Sequence, residues 1–483
     1  MSDLTRRTLI KGGAAGALGL ALAGPFEGFV AHAGRGRPRG SGYGPLAPVA
    51  DRRDGAVRLE LPEGFKYRSF QLRGDVLDDG FVLPGRHDGM ATFRGRHGRT
   101  IIVRNHEING NTGQPPAPPN NTDPVLGDPT DGYDPLAKGG TVTVEVDGRG
   151  HVHRSFVSLS GTQMNCAGGP MPWGSWITCE ETVNGDDVGA DFTGVLNTGM
   201  LKHGYLFEVP AGRHSRARPI RAAGRFAHEA AAASPSGRAI YLTEDNFGFP
   251  SGFYRYLPPN RPHRSGFVAD GGRLQMLAVR GTDNAELYHG QPAGATYRVR
   301  WVDIDDPDPT FAPGTTNDQA ISAVGNQGRA NGAALFSRLE GCVTDRGRVY
   351  FTSTQGGDGT PAVTAGFGTG RGQVWSYRPE SATLRLVYEA PSDADLDLPD
   401  NIAASRAGAL VLCEDGSGDN FLRGLTRGGT LFNFARNADP AQPGQEFAGA
   451  RFSPDFNTLF VNIQSGTGYS IAIWGPWHKG PFG

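Results

Sequence analysis

Short apolar runs that end in acidic or amide side chains recur along the chain. Each run starts at a turn residue, continues through a few apolar or β-branched residues, and closes on carboxylates or amides. The six runs are residues 99–107, 174–181, 237–245, 347–355, 408–415 and 457–464. No long apolar period of 3.6 residues accompanies them, so the pattern predicts β-strands and disfavours a helical protein.

Further strand-like runs lie between these six, for example at residues 204–209, 252–257, 296–302 and 373–379. Several strands per unit, with units of about 40–50 residues plus insertions, are typical of propeller blades. The fold class that we expect is therefore all-β, a six-bladed β-propeller with loop insertions. A pair of β-sandwiches is the main alternative, but it gives no reason for six strands to end in the same chemistry.

Composition supports a strand-and-turn protein. Glycine accounts for 73 of the 483 residues, about 15% against a usual level of about 7%. The 47 basic residues (Lys and Arg) and 49 acidic residues give a net charge of -2. That balance provides no argument for a nucleic acid or a membrane surface as a partner.

The N-terminus has the order of an export signal. A twin arginine, Arg6-Arg7, precedes a small apolar run at residues 12–26 and a small-x-small cleavage pattern at residues 31–33. A twin arginine marks the bacterial Tat route, and the run is too short and glycine-rich for a stable membrane span. Tat exports folded proteins, often with a cofactor already bound, so the signal favours a metal or organic cofactor.

These features predict three segments. We expect residues 1–33 to be a Tat signal peptide, residues 34–55 a flexible N-terminal segment, and residues 56–483 a β-propeller catalytic domain. The predicted location is the periplasm or the exterior, reached through the Tat export machinery, without a stable membrane span in the mature protein.

In a propeller, one strand of each blade lines the central channel, and equivalent strand ends converge on one mouth. So many ionised carboxylates in a small volume require compensating cations, and hard metal ions are the usual choice. The alternative is that these acids only cap strands and face water. The residues that we expect to converge are Glu107, Glu180, Glu181, Glu244, Asp245, Glu414, Asp415 and Gln464.

Polar residues also precede the apolar runs. Cys166 lies in a glycine-rich stretch among polar residues, where a thiolate would suit iron better than calcium. Arg338 carries a guanidinium that suits bidentate capture of a phosphate or carboxylate. Two disulfides are the expectation for an exported chain with four cysteines, and three pairings are possible. Alternatively, Cys179, Cys342 and Cys413 are small buried hydrophobes within strands.

Several segments resemble the PhoX family of exported bacterial alkaline phosphatases. They are NHE (105–107), NCAGGPMPWGSWITCEE (165–181), FSRLEG (336–341), CEDG (413–416) and SPDFNTLFVNIQ (453–464). The likeness extends from about Leu61 to about Trp474.

The resemblance implies a six-bladed propeller that carries Fe3+ and Ca2+ and takes phosphomonoesters. It implies that Arg338 faces the substrate phosphate and that Asn105 and Glu107 contact substrate or metal. The metal ligands that it implies are Cys166, Glu180, Glu181, Glu229, Glu244, Glu340, Glu414 and Asp415.

The leading hypothesis is an exported, metal-dependent phosphatase whose partners are a small phosphate ester and the Tat machinery, and not a nucleic acid. A calcium-dependent lactonase is a second hypothesis, and it needs one hard cation and no thiolate ligand. A non-catalytic binding propeller stabilised by calcium is a third.

Overall fold

The computed structural model describes residues 42–115, 121–191, 193–358 and 366–483, and in these ranges the chain is mostly β-strand. Among the described residues one α-helix occurs, α1, at Asn317–Ala330. Its N-terminus is closed by a capping box between Thr316 and Gln319. Short 3-10 turns occur at Arg96–Gly98, Pro129–Asp131, Arg221–Ala223, Pro379–Ser381 and Trp477–Lys479.

The strands are numbered in chain order. The first nine are β1 (Leu46–Ala50), β2 (Val57–Pro62), β3 (Lys66–Phe70), β4 (His87–Arg94), β5 (Thr100–His106), β6 (Gly139–Val146), β7 (Val152–Thr162), β8 (Asn165–Met171) and β9 (Ser175–Glu180). The next nine are β10 (Leu206–Pro210), β11 (His228–Ala233), β12 (Ile240–Glu244), β13 (Phe253–Leu257), β14 (Arg273–Val279), β15 (Thr296–Asp303), β16 (Leu339–Asp345), β17 (Arg348–Ser353) and β18 (Gln373–Arg378). The rest are β19 (Thr383–Glu389), β20 (Pro399–Ala404), β21 (Leu410–Glu414), β22 (Phe421–Leu425), β23 (Leu431–Asn437), β24 (Phe447–Phe452), β25 (Thr458–Ile463) and β26 (Tyr469–Trp474).

Antiparallel sheets are arranged around an axis as in a propeller. The strands nearest the axis, called inner strands below, are β4, β8, β11, β16, β20 and β24. Each inner strand contacts the next one along the chain, and β24 contacts β4. The neighbour of each inner strand within its sheet is called a second strand, and these are β5, β9, β12, β17, β21 and β25.

The six apolar runs of the sequence are confirmed as strands, because they coincide with the second strands. From the sequence, these six strands are expected to line the central channel. That placement is wrong, because the inner strands lie closer to the axis. The physical reason is the sequence of the inner strands. NCAGGPM of β8 and HEAAAA of β11 carry small residues that let neighbouring backbones approach, and they lack the large apolar signature of a strand.

Two neighbouring sheets are joined into one sheet of nine strands. The outer strands β15 and β19 pair over Thr296↔Arg385 and Arg298↔Thr383, which connects β11–β15 to β16–β19. The core lies between the faces of adjacent sheets. Second strands such as β9 and β25 are consequently buried on both faces along their whole length.

The N-terminal strands complete sheets from the C-terminal part of the chain. Strand β3 pairs with β26, and β2 pairs with β23. Strand β1 pairs with β2 and lies inside residues 34–55, so that segment is not flexible throughout and the ordered chain starts before residue 56. The backbone pairing of Leu46 with Pro62 holds part of the segment that was expected to be flexible. The predicted signal peptide, residues 1–33, lies outside the described residues, and among those described no helix is long and apolar enough to cross a bilayer.

Candidate metal centre

Each inner strand contains the same irregularity, a β-bulge. Its pairing with the second strand skips two residues. A bulge bends the strand and re-aims the extra side chain. The bulged pairs are Asp88-Gly89, Cys166-Ala167, Glu229-Ala230, Glu340-Gly341, Asp400-Asn401 and Gly449-Ala450. In every pair except the last, the first residue is a carboxylate or a thiol, so the bulges gather metal-ligand types at one end of the axis, called the mouth below.

The second residue is glycine or alanine in every bulge except Asp400-Asn401, because neighbouring inner strands approach closely. A Cβ atom on Gly89 would lie 2.5 Å from the Cα of Ala167. A Cβ atom on Gly341 would lie 2.7 Å from the carbonyl oxygen of Asp400. Real Cβ atoms do not come this close, so the backbones touch and hold the preceding donor side chains side by side.

A second feature, a residue in the left-handed conformation, recurs just before four of these strands. Arg86, Met164, Arg338 and Leu398 each precede an inner strand and have φ between 45° and 57°. The carbonyl of each accepts a hydrogen bond from the residue that follows the second strand, as in Thr354 N–H to Arg338 at 2.8 Å. The left-handed conformation costs about 1–2 kcal/mol for a non-glycine residue, and these paired carbonyls help to hold it.

Three groups of donor side chains lie at the mouth. Within each group the donor atoms are all within 4.8 Å of one another. The groups are Cys166, Glu181 and Glu229; Glu229, Glu340 and Asp400; and Asp400, Asp415 and Glu446. Because Glu229 and Asp400 are each shared by two groups, the three groups form one continuous arc of ligands.

The buried carboxylates of this arc repel one another, so their charge favours bound cations. Glu229 is buried, and its Oε1 has no hydrogen-bond partner among the described residues. Burial, and then the carboxylates of Glu340 and Asp400, raise the pKa of Glu229 well above its usual value. Burial, followed by Asp415, raises the pKa of Asp400 to about 7. Such crowding is relieved by metal ions, so the donor set fits hard cations, with the Cys166 sulfur as its one soft ligand.

Arg338 is the cation that the structure places in this acidic mouth. It is 5% exposed, and it holds Asp245 through Nε at 3.0 Å and Nη2 at 2.8 Å. Nη2 also donates to Glu340 at 2.6 Å, and the guanidinium carbon lies 4.1 Å from the centre of the Phe247 ring. Its Nη1 has no hydrogen-bond partner within the described residues. The guanidinium is thus held by Asp245, Glu340 and Phe247, and its Nη1 amino group remains to bind an anion.

Adjacent acids at the ends of second strands have different surroundings. Glu180 accepts hydrogen bonds from His203 Nδ1 at 2.6 Å and from the backbone N–H groups of Gly204 and Tyr205 at 2.9 and 3.1 Å. The next residue, Glu181, belongs to the first donor group. Side chains alternate along a strand, so only one member of such a pair can face the mouth.

The same arrangement recurs in two other sheets. Glu244 accepts from Gly252 N–H at 2.8 Å and from the Tyr254 hydroxyl at 2.9 Å. Glu414 accepts from Phe421 N–H at 3.0 Å and from Arg423 Nε at 2.7 Å. No donor group among the described residues contains Glu180, Glu244 or Glu414. In the structure these three carboxylates anchor loops, whereas Glu181, Glu229, Glu340 and Asp415 come together in the donor groups.

Asn105 and Glu107 also differ from each other. Asn105 is fully buried, and its amide donates to the carbonyl oxygens of Cys166 and Ala167 at 2.8 and 2.7 Å. Its own oxygen accepts from Trp176 Nε1 at 2.8 Å. Asn105 thus supports the Cys166 bulge from behind instead of facing substrate. The Glu107 carboxylate accepts from Gln464, which also donates to Asp88 at 2.9 Å, so these three side chains meet at the mouth as expected for Glu107 and Gln464.

The sequence model of the family described as alkaline phosphatase PhoX matches residues 41–154 and 147–467. The chain belongs to the PhoX family. It is accordingly an enzyme of the phosphomonoesterase class, and its family is metal-dependent, in agreement with the donor groups at the mouth.

Solved structures show what this PhoX-family chain is similar to. The Pseudomonas fluorescens PhoX, solved in complex with vanadate as a transition-state analogue, is 19% identical with a TM-score of 0.65, over 92% of this chain and 99% of that one. This likeness supports the propeller-like fold. A Xanthomonas campestris gluconolactonase is 13% identical with a TM-score of 0.37, over 91% of this chain and 99% of that one. A Staphylococcus aureus virginiamycin B lyase is 11% identical with a TM-score of 0.36, over 85% and 99%. No curated protein matches.

Two aspects of this PhoX-family site differ from the sequence-based expectation. Asp88 was missed as a mouth residue, although its bulge has an acid followed by glycine, as does the bulge at Glu340-Gly341. The expected disulfides are absent, since Cys166, Cys179, Cys342 and Cys413 are all free and buried. The last three belong to separate hydrophobic clusters, so they are small apolar residues of the core.

Proposed function

We propose that this chain hydrolyses phosphate monoesters at an iron–calcium centre in the mouth of a six-bladed propeller. The observation that carries the proposal is the meeting of three linked donor groups with a buried arginine that keeps one free N–H donor. The family supports the class of reaction. The mouth is acidic and would repel an anionic ester. Such an ester can enter only when bound cations and Arg338 make the mouth positively charged.

The donor chemistry supports an assignment of the two metals. We assign Fe3+ to the group that contains Cys166, together with Glu181 and Glu229, because a thiolate suits iron better than calcium. We assign Ca2+ to the two groups of oxygen donors, which Glu340, Asp400, Asp415 and Glu446 complete. When bound, the metal ions would polarise phosphoryl oxygens and lower the pKa of a bound water.

The protein side chains then have distinct tasks. Arg338 binds the phosphoryl oxygens through its free Nη1 and stabilises the charge that develops on them. Asp245 and Phe247 fix the plane of the guanidinium, so little conformational freedom is lost on binding. Asn105 positions the Cys166 backbone. We propose Glu107 as a further contact to substrate or metal, because it shares Gln464 with Asp88.

The architecture and the location form part of the proposal. The ring of contacts among the inner strands supports six blades, two of which share the nine-stranded sheet. The N-terminal sequence supports export through the Tat route into the periplasm or beyond, where extracytoplasmic phosphate esters are the available substrates.

The test combines metal analysis with turnover of p-nitrophenyl phosphate in protein exported through its own signal. We expect iron and calcium in the purified protein and loss of turnover on treatment with a calcium chelator. Arg338→Lys should keep the metals but lower kcat/KM about 100-fold or more, since a lysine cannot hold Asp245 and Glu340 and also present the Nη1 donor to the phosphoryl group. Arg385→Lys, at an exposed arginine away from the mouth, is the control. Calcium alone without turnover would contradict the proposal and favour a lactonase or a binding propeller.

A further inference from the structure

Arginines are concentrated at the end of the propeller opposite the mouth. Inner strand β4 begins beside the mouth and runs for 8 residues, so at about 3.3 Å per residue its far end lies roughly 25 Å away. The turns at that end in the first three sheets are rich in arginine, whereas the mouth is rich in carboxylates. The net charge of the whole chain is close to zero, but the mouth is acidic and the opposite end of the first three sheets is basic.

We define the basic face by five exposed arginines: Arg96, Arg154, Arg213, Arg216 and Arg264. Across the described part of the chain, none of the five lies within ion-pair distance of a carboxylate. The nearby Glu208 is engaged elsewhere, since it accepts hydrogen bonds from Gly266 N–H at 2.9 Å and Val268 N–H at 2.7 Å. Glu145 lies opposite Arg154 across β6 and β7, and it pairs with Arg99 at 3.3 Å. Glu145 and Glu208 therefore offset only part of the positive charge of the five arginines.

Contacts between the turns make this face continuous. The Arg154 guanidinium lies 4.7 Å from the Phe156 ring, and that ring lies 4.9 Å from the ring of His214. Arg216 and Arg264 lie 3.9 and 4.2 Å from the centre of the Phe267 ring, which is itself 42% exposed. An exposed aromatic residue therefore lies amid the arginines.

We propose that the basic face binds the surface of an anionic lipid bilayer. The cations occupy turn tips of neighbouring sheets, which suits an extended flat partner better than a chain lying in one groove. The Phe267 ring is already in contact with two guanidiniums, so its faces are not available for stacking on a nucleic-acid base. Its edge remains available to an interface. Arginines beside one exposed aromatic residue are typical of peripheral proteins on anionic membranes.

A cleft in this face suits a lipid headgroup. It has a volume of about 390 Å³ and is lined by Arg96 and Arg154, by the apolar side chains of Ile101 and Phe156, and by Glu145. The Glu145 carboxylate accepts a hydrogen bond from Arg99 at 3.3 Å, so it is paired within the protein. Two guanidiniums can bind a phosphate, and the apolar wall can accept the first carbons of a lipid. Bound in this way, the molecule would present its mouth to the medium, away from the membrane.

The test is co-sedimentation with vesicles of phosphatidylcholine containing roughly 30% phosphatidylglycerol. We expect binding at about 0.1 M salt, loss of binding at about 1 M salt, and no binding to pure phosphatidylcholine. Arg213→Glu combined with Arg216→Glu and Arg264→Glu should weaken binding on the order of 100-fold, since each arginine contributes roughly fivefold.

The control reverses the same number of charges away from this face, at the exposed Arg52, Arg53 and Arg73. This control should bind vesicles like the parent, and both variants should keep full turnover of p-nitrophenyl phosphate. Equal binding of the two variants to anionic vesicles, or no binding of the parent, would overturn the proposal. Binding of the parent to single-stranded DNA but not to vesicles would also overturn it, and would assign the face to a soluble polyanion.

Discussion

Neighbouring acids in this protein perform different tasks because a strand alternates its side chains. Glu180 is fully buried and hydrogen-bonded to a histidine and to three backbone N–H groups, whereas Glu181 joins a donor group with Cys166. The sequence shows only two glutamates in succession. Which of them faces the mouth depends on the register of β9 against β8, and the bulge at Cys166 sets that register.

The two glutamates give a matched pair of variants. Glu180→Gln should lower the free energy of unfolding by about 1–3 kcal/mol, because buried donors lose a charged acceptor. Glu181→Gln should leave the metal-free stability nearly unchanged but reduce the bound metal. Urea unfolding and metal analysis of both variants check this. A loss of metal from Glu180→Gln without a loss of stability would contradict the assignment.

His203 gives the protein a pH-dependent contribution to stability. Burial alone would lower its pKa, but Glu180 and Asp134 outweigh burial and raise it to about 9. A pKa raised by folding means that protonated His203 stabilises the folded state below about pH 6.5, and that this contribution is lost as the pH rises through about 9. We expect urea midpoints to fall over this range, and His203→Gln to flatten the decline. The exposed His263→Gln should leave the decline intact.

At the scale of elements, the bulged inner strand is the unit that builds the site. Four of the six bulges place a donor directly before a glycine or alanine, and this small residue sets how near the next strand comes. Glycine and alanine at these positions thus determine the spacing of the ligands without contacting them.

Gly341→Ala tests this spacing. The added Cβ would lie 2.7 Å from the carbonyl oxygen of Asp400 and from the N atom of Ile402. We expect a loss of about 1–3 kcal/mol in unfolding free energy and a lower metal content, because the second donor group is spread apart. In Gly418→Ala no heavy atom lies within 4 Å of the added carbon, so both measurements should be unaffected. Equal effects of the two substitutions would exclude the spacing argument.

The sequence predicts the second strands well and the inner strands poorly. Runs such as TLFVNI of β25 have the large apolar residues that mark a strand. The inner strands, such as LEGCVTD of β16, are shaped by close backbone approach and by a bulge, and neither leaves a periodic signal. Asp88 was missed because the apolar runs mark only the second strands. Whether Glu244 or Asp245 faces the mouth cannot be seen before the register of β12 against β11 is known.

At the scale of the whole molecule, we expect metal binding and folding to be coupled. The donor arc joins inner strands from several sheets, and its carboxylates repel one another without cations. A ligand that binds only the folded state stabilises it by about 4 kcal/mol at a thousandfold excess over Kd.

Chelation should therefore lower the melting temperature measured by circular dichroism. The decrease should be smaller in Glu229→Gln, which removes the carboxylate shared by two donor groups and so has both weaker metal binding and weaker repulsion. Re-addition of calcium should restore part of the loss in the parent. An unchanged melting temperature after complete removal of metal would show that the arc does not couple to folding.

The pairing of β3 with β26 has a consequence for how the molecule is made. Ser470 pairs with Phe70, so the sheet that closes the ring needs residues close to the C-terminus. Asp88 from the first part of the chain and Gln464 from the last part also meet only when this closure occurs. The earlier sheets can fold before residues 464–474 are synthesised, whereas the ring closes and Gln464 reaches Asp88 only afterwards. We therefore expect the mouth to acquire its metal as a late step of folding.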